Sequence, residues 1–304
     1  GSLTVSGQQK PVENQSTVTK QQWDQWFKSL SNWGRWGKDD DRGALNLITT
    51  EKAKAASALV KTGQSVSLSK PISRDKPPSG AQPRPVERGG AYTSFFLIDG
   101  DFLYERHEIE YHGGRVTHFD ALCHVSHEGK VYNGYSFKEV VTEPGGCTKL
   151  SVNAAKDGIV TRAVFVDLPG KRVTRADLEA WEKKTGLRVS PGDALLLRSS
   201  QPGMKPTSFG GAGYDPTVLP FLKERDVALL GNDFAQEGGM IPGLFIPVHT
   251  MVLVSLGVNL LDNLGLDDVA AVAQKLNRHE FMLVVEPIRV QNGAGSAVNP
   301  VAIF

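Results

Sequence analysis

Four short, mainly apolar strand segments constrain the fold of this chain most: residues 163–168 and 194–199, a buried strand at 227–233 that ends in an acid, and a closing strand at 281–290. A strand with one wet face alternates apolar and polar residues, whereas a run that is apolar at successive positions needs cover on both faces. The segments between the runs can supply that cover. Thr174 starts a helix that holds Leu178 and Trp181 inward and Glu179, Lys183 and Lys184 outward. Further helices are expected over 216–225 and 266–276, with 248–256 helical at least in part. Strands interleaved with helices, and no internal repeat, predict an α/β fold with a mixed sheet in a single domain.

The amino-terminal half is read from its breakers and caps. Residues 1–20 are polar and aperiodic and are expected to form a flexible leader, so the folded domain is placed at 21–304. Trp23, Trp26, Phe27 and Leu30 recur at helical spacing, and Thr50 is the expected cap of a helix over 51–62 that stops at Gly63. A strand at 65–69 runs into a proline-rich loop over 71–85. Two strands at 91–98 and 102–112 then flank Asp99-Gly100-Asp101, a hairpin signal.

Charge narrows the possible partners. Thirty-four basic and thirty-three acidic residues leave a net charge of +1, which offers no electrostatic case for nucleic acid or an anionic membrane. No apolar run reaches the roughly 18 residues of a membrane span. The expected partner is a small-molecule substrate. Cys123 and Cys147 are the only cysteines, too few for a disulfide framework. Cys123 is therefore expected to act as a small buried hydrophobe.

The chemistry is concentrated in residues 112–124, which hold three of the seven histidines and one carboxylate. If 115–120 is a strand, His118 and Asp120 share a face and form an imidazole and carboxylate pair. A helical turn beginning at Asp120 would bring His124 back to the same side. His112 reaches that point only if Gly113-Gly114 bends the chain back. Such a set suits Zn²⁺, Mn²⁺ or Fe²⁺ better than Ca²⁺ or Mg²⁺. The plainer alternative is a histidine held by a neighbouring carboxylate, with no ion involved. His249 and Asp262, thirteen residues apart at the two ends of an apolar run, are candidates to complete the shell, although a lone histidine in an apolar helix is more often a satisfied core residue. Trp33 and Trp36, in a glycine-rich loop, and Phe119 are candidates to pack a substrate ring.

The run Thr117-His118-Phe119-Asp120-Ala121-Leu122-Cys123-His124 resembles the metal-binding signature of the cyclase family, which includes bacterial kynurenine formamidase and isatin hydrolase. Trp33-Gly34 through Leu45-Asn46, His249 with Asp262-Asn263-Leu264, and residues 293–300 resemble further family segments, in the same order. Three positions of the signature depart: Gly114 stands where the family has its first ligand histidine, Val116 replaces a glycine and Leu122 a proline. Asp262 stands for a glutamate. The resemblance implies the swivelling β/β/α cyclase-like fold and a divalent metal, Zn²⁺ with Mn²⁺ as the alternative. The ligands would be His118, Asp120, His249, Asp262 and, in place of the missing histidine, His112.

The activity implied is a metal-dependent hydrolase of a small cyclic or aromatic amide or lactone, with His124 as general base and then acid. A metal-dependent dehydratase or cyclase acting on a keto substrate, and a binding protein without turnover, are the alternatives. The resemblance also implies a homodimer or homotetramer. A cytoplasmic location is expected, with export after signal-peptide removal as the alternative.

Overall fold

The computed structural model describes residues 15–72, 91–201 and 211–304. The apolar runs form the centre of a nine-stranded mixed sheet. Its order is Ser65–Ser67, Val301–Ile303, Glu280–Val285, Ile159–Asp167, Ala194–Arg198, Leu229–Asn232, Asn259–Asp262, His118–Asp120 and Gly295–Ala297. Four consecutive members, from Ile159–Asp167 to Asn259–Asp262, run parallel, while the strands on either side of them pair antiparallel. Parallel neighbours need both faces covered, and the central runs comply: residues 194–197 and 229–232 are fully buried. This is an α/β domain built on one large curled mixed sheet, as expected.

Capping chemistry sets the helices. Thr174 and Asp177 close a capping box at the start of Arg175–Thr185, and Gly186 ends that helix at φ 72°. The second helix is shorter than expected. Thr49, not Thr50, accepts from Lys52 N, and the helix spans Thr50–Ser57 instead of 51–62. With few apolar residues to hold it down, it ends well before Gly63.

Of the leader expected over 1–20, the described residues 15–20 pack on the domain. Val18 is buried, Ser16 Oγ donates to Asp215 Oδ1 at 2.9 Å, and Thr19 caps the Lys20–Ser29 helix. The expected loop at 71–85 falls almost entirely on residues outside those described.

The cysteines correct a further expectation. Cys123 and Cys147 are both buried and joined in a disulfide that ties the turn before His124 to the strand Gly146–Cys147. Spacing could not reveal this pair, because the sheet brings together residues 24 apart through a long excursion. No helix among the described residues is long and apolar enough to cross a membrane.

Candidate metal centre

Two neighbouring strands build the floor of the site. Their antiparallel register places Asp262 opposite His118 and Leu260 opposite Asp120. Directly opposed side chains share a face, so Asp262, His118 and Asp120 all project to the same side. Phe119, between the two ligands, projects to the other. Its ring is buried in the hydrophobic core and is not brought to the cluster.

The strand is shorter than 115–120. Residues 113–116 form a bend instead, and Asn263 holds it. The Asn263 amide donates to the carbonyls of Gly113 and, at 3.3 Å, Val116. This bend returns His112 to the cluster, with Nδ1 3.0 Å from Asp120 Oδ1. Opposite Asp120 on the last strand stands Gly295. A Cβ there would press on Phe119 O, on His112 Cε1 and on the Tyr111 ring, so only glycine leaves room for this packing. Tyr111 is fastened by its hydroxyl, which donates to Gly295 O at 2.8 Å.

His124 arrives by a route other than the helical turn expected. The chain leaves Asp120 in a tight turn, with His124 N donating to Ala121 O at 3.0 Å and Cys123 N to Leu150 O at 3.2 Å. The disulfide and the Cys123 N–Leu150 O hydrogen bond fasten the chain here in a turn that a helix would not follow. The His124 ring stacks on His112 with centroids 3.7 Å apart and the two planes nearly parallel.

The electrostatics point to an ion. His118 Nδ1 donates to Val116 O at 2.8 Å, which leaves Nε2 as a free acceptor 3.5 Å from Asp120 Oδ1. Asp120 is buried, yet neither carboxylate oxygen nor either nitrogen of His112 makes a hydrogen bond. The 3.0 Å approach of His112 lies off the directions that such a bond requires. Burial alone would raise the Asp120 pKa, but His124, His118 and His112 outweigh it and hold the carboxyl well below its usual range. Burial pushes His124 down to about 4 against the pull of Asp120, so its imidazole is neutral at neutral pH.

Two groups of donors have ligand atoms within 4.8 Å of one another: His118, Asp120 and Asp262, all buried, and His112, Asp120 and His124, at the mouth. Asp120 belongs to both. These residues fit a divalent cation: mixed imidazole and carboxylate donors, with buried polar atoms of His112 and Asp120 unsatisfied.

His249 stands one step further out and belongs to neither group. Its Nδ1 lies 2.8 Å from Glu237 Oε1 and its Nε2 3.1 Å from Asp262 Oδ2. Burial would lower its pKa, but Asp262 and Glu237 raise it well above the ordinary histidine value. Gln236 donates to the other oxygen of Asp262 at 2.5 Å. Gln236, Glu237 and Tyr111 escape sequence reasoning, since no spacing links them to 249 or 262; for Gln236 and Glu237 the one signal is that they follow a buried strand ending in an acid.

Trp33 and Trp36 do not join the cluster. Trp33 Nε1 donates to Val254 O at 2.6 Å and Asn32 Nδ2 to Leu256 O at 2.8 Å. Both carbonyls lie in the π-helical Met251–Leu256 segment that continues the helix carrying His249. Trp36 lies under the Arg35 guanidinium and against the core. Asp40 and Asn46 are likewise structural: Asp40 accepts from Gly43 N at 2.9 Å and Asn46 Nδ2 at 2.6 Å.

A curled mixed sheet that presents buried imidazoles and carboxylates at one edge defines an α/β protein with a candidate metal centre. The family profile described as "Putative cyclase" matches residues 66–236, and this chain belongs to the cyclase family. It is similar to a crystal structure of a novel cyclase, at 29% identity and a TM-score of 0.79 over 91% of this chain and 99% of that one. Isatin hydrolase A from Labrenzia aggregata, bound to benzyl benzoate, shares the fold at 19% identity and TM-score 0.56, over 81% and 94% of the two chains. An isatin hydrolase bound to the product analogue thioisatinate does so at 18% and 0.54, over 85% and 98%. No curated protein matches the chain.

Proposed function

We propose that this chain is a metal-dependent hydrolase that opens a small cyclic or aromatic amide or lactone. Asp120 carries the proposal. A buried, ionised carboxylate without a hydrogen bond costs several kcal/mol, and here it is ringed by three imidazoles and a second carboxylate. His118, Asp120 and Asp262 would hold the ion, zinc first and manganese second on the donor chemistry. When bound, such an ion acidifies water and polarises a carbonyl.

The chain's own residues supply the rest. Neutral His124, at the mouth, takes a proton and returns it to the leaving nitrogen or oxygen. His249, gripped between Glu237 and Asp262, orients the Asp262 carboxylate. Tyr111 and the stacked His112 wall the mouth. The hydrolase names of two fold relatives direct the first substrate screen to isatin and related rings. The Cys123–Cys147 disulfide supports an oxidising compartment over the cytoplasm.

Elemental analysis of the purified protein tests the centre. One ion per chain that vanishes in His118→Ala is the expected result. Two ions per chain would make His124 a ligand and remove it as the base. No ion after incubation with excess zinc or manganese would defeat the proposal.

A further inference from the structure

A cavity of 310 Å³ lies between the helix Arg175–Thr185, the end of the strand Ile159–Asp167, and His279, which precedes the strand Glu280–Val285. Two strands stand between Ile159–Asp167 and Asn259–Asp262 in the sheet. Three strand spacings, roughly 14 Å, therefore separate this cavity from Asp262. No donor of the candidate metal centre lines it.

Its polar groups divide into matched and unmatched. Asp167 is held by Arg198 at 2.7 Å, and Asp177 by Lys171 at 2.5 Å and by the capping box it closes with Thr174. Lys184 takes part in no ion pair among the described residues. Trp181 is buried, yet its indole N–H makes no hydrogen bond among those residues, and His279 Nδ1 is buried without one as well. The two rings meet edge to face, with centroids 5.9 Å apart. Buried ring nitrogens are ordinarily paired, so a cavity that collects two unpaired ones and a free ammonium lacks an occupant.

We propose that this cavity is a second ligand site, for a small aromatic carboxylate. An ammonium and an indole N–H can only donate, so the ligand must accept, and beside an unpaired cation it must be an anion. Leu168, Ala180 and Trp181 offer an apolar wall to a flat ring. The volume is at the lower end of the ~300–1,000 Å³ of small-molecule sites, which suits a single ring. The carboxylate meets Lys184 and the Trp181 indole, and an amine or hydroxyl on the ring meets His279, whose imidazole donates or accepts according to its tautomer. A hydrolase that opens aromatic amides or lactones releases acids of this kind, so under the reading above the cavity is a place for product to return. The binding itself stands without that reading.

Calorimetric titration of the full chain with 2-aminobenzoate tests this. A carboxylate can also bind a metal, so the Asp120→Ala protein is titrated beside the parent and is expected to take up one equivalent with a Kd of about a millimolar or below. Lys184 is exposed on its helix, so Lys184→Glu should keep the parental far-ultraviolet dichroism spectrum while weakening that binding about tenfold or more. Lys184→Arg should retain it, and benzamide, the uncharged analogue, should bind about tenfold more weakly or worse. Lys184→Glu in the otherwise parental chain should lose the same equivalent, which keeps the test intact if Asp120→Ala folds poorly. No uptake outside the metal centre, an affinity that Lys184→Glu leaves unchanged, or benzamide binding equal to that of the acid would each overturn the proposal. None of these outcomes bears on the hydrolase reading.

Discussion

The floor and the mouth of the candidate metal centre are built by different means. The floor donors, His118 and Asp262, sit on adjacent strands whose register places them opposite each other, and both are buried. The mouth donors, His112 and His124, sit on a bend and a tight turn held by single devices: the Asn263 amide, the Gly295 gap and the disulfide. Sheet register is over-determined, since a slip would move every side chain on the strand to the wrong face. A bend has no such redundancy. The floor should therefore tolerate change around it, while the mouth should fail when any one device is removed.

The largest test strikes the residue the two groups share. Asp120→Ala should empty the centre and abolish hydrolysis, a loss of three orders of magnitude or more, read by elemental analysis alongside turnover of a cyclic amide or lactone. His124→Ala separates the regions: the floor keeps its ion while the rate falls about a hundredfold or more. Parental rates in both variants would sink the site assignment.

Stability probes come next. Cys147→Ser removes a cross-link between residues 24 apart and should cost about 3 kcal/mol in denaturant unfolding by chain-entropy reasoning. Asn263→Ala, which frees the Gly113 and Val116 carbonyls, should cost about 1–3 kcal/mol. If its metal content falls as well, the mouth and floor are less separate than their construction suggests.

Acid should act on the mouth first. His124 titrates near 4 in the folded metal-free protein and near 6.5 when unfolded, so between those values only the unfolded chain takes up the proton. Stability of the apoprotein must then fall as pH drops from about 6.5 to 4, by on the order of 3 kcal/mol at most. His124→Gln should flatten that slope in thermal melts, and an unchanged slope would place the acid sensitivity elsewhere.

Much of the floor was legible in the residues. Continuous apolar runs demand a sheet covered on both faces, and alternation along a strand puts His118 and Asp120 together whatever the rest of the chain does. Phe119 marks the limit of that reading: the same alternation that pairs the ligands buries its ring in the core, yet an aromatic beside two ligands suggested a substrate contact. Trp33 and Trp36 show a similar limit, since an aromatic loop reads alike whether it covers a ligand or the carbonyls of a π-helical turn.

The sequence by itself determined the α/β class, the sheet and the pairing of His118 with Asp120, because those follow from period and burial, which are local. Tertiary structure alone decided that Gly113-Gly114 folds His112 back, that Cys123 meets Cys147, and that Glu237 and Gln236 grip His249 and Asp262. Each of these joins residues with no shared period, and their meeting depends on where the sheet places the ends of its strands.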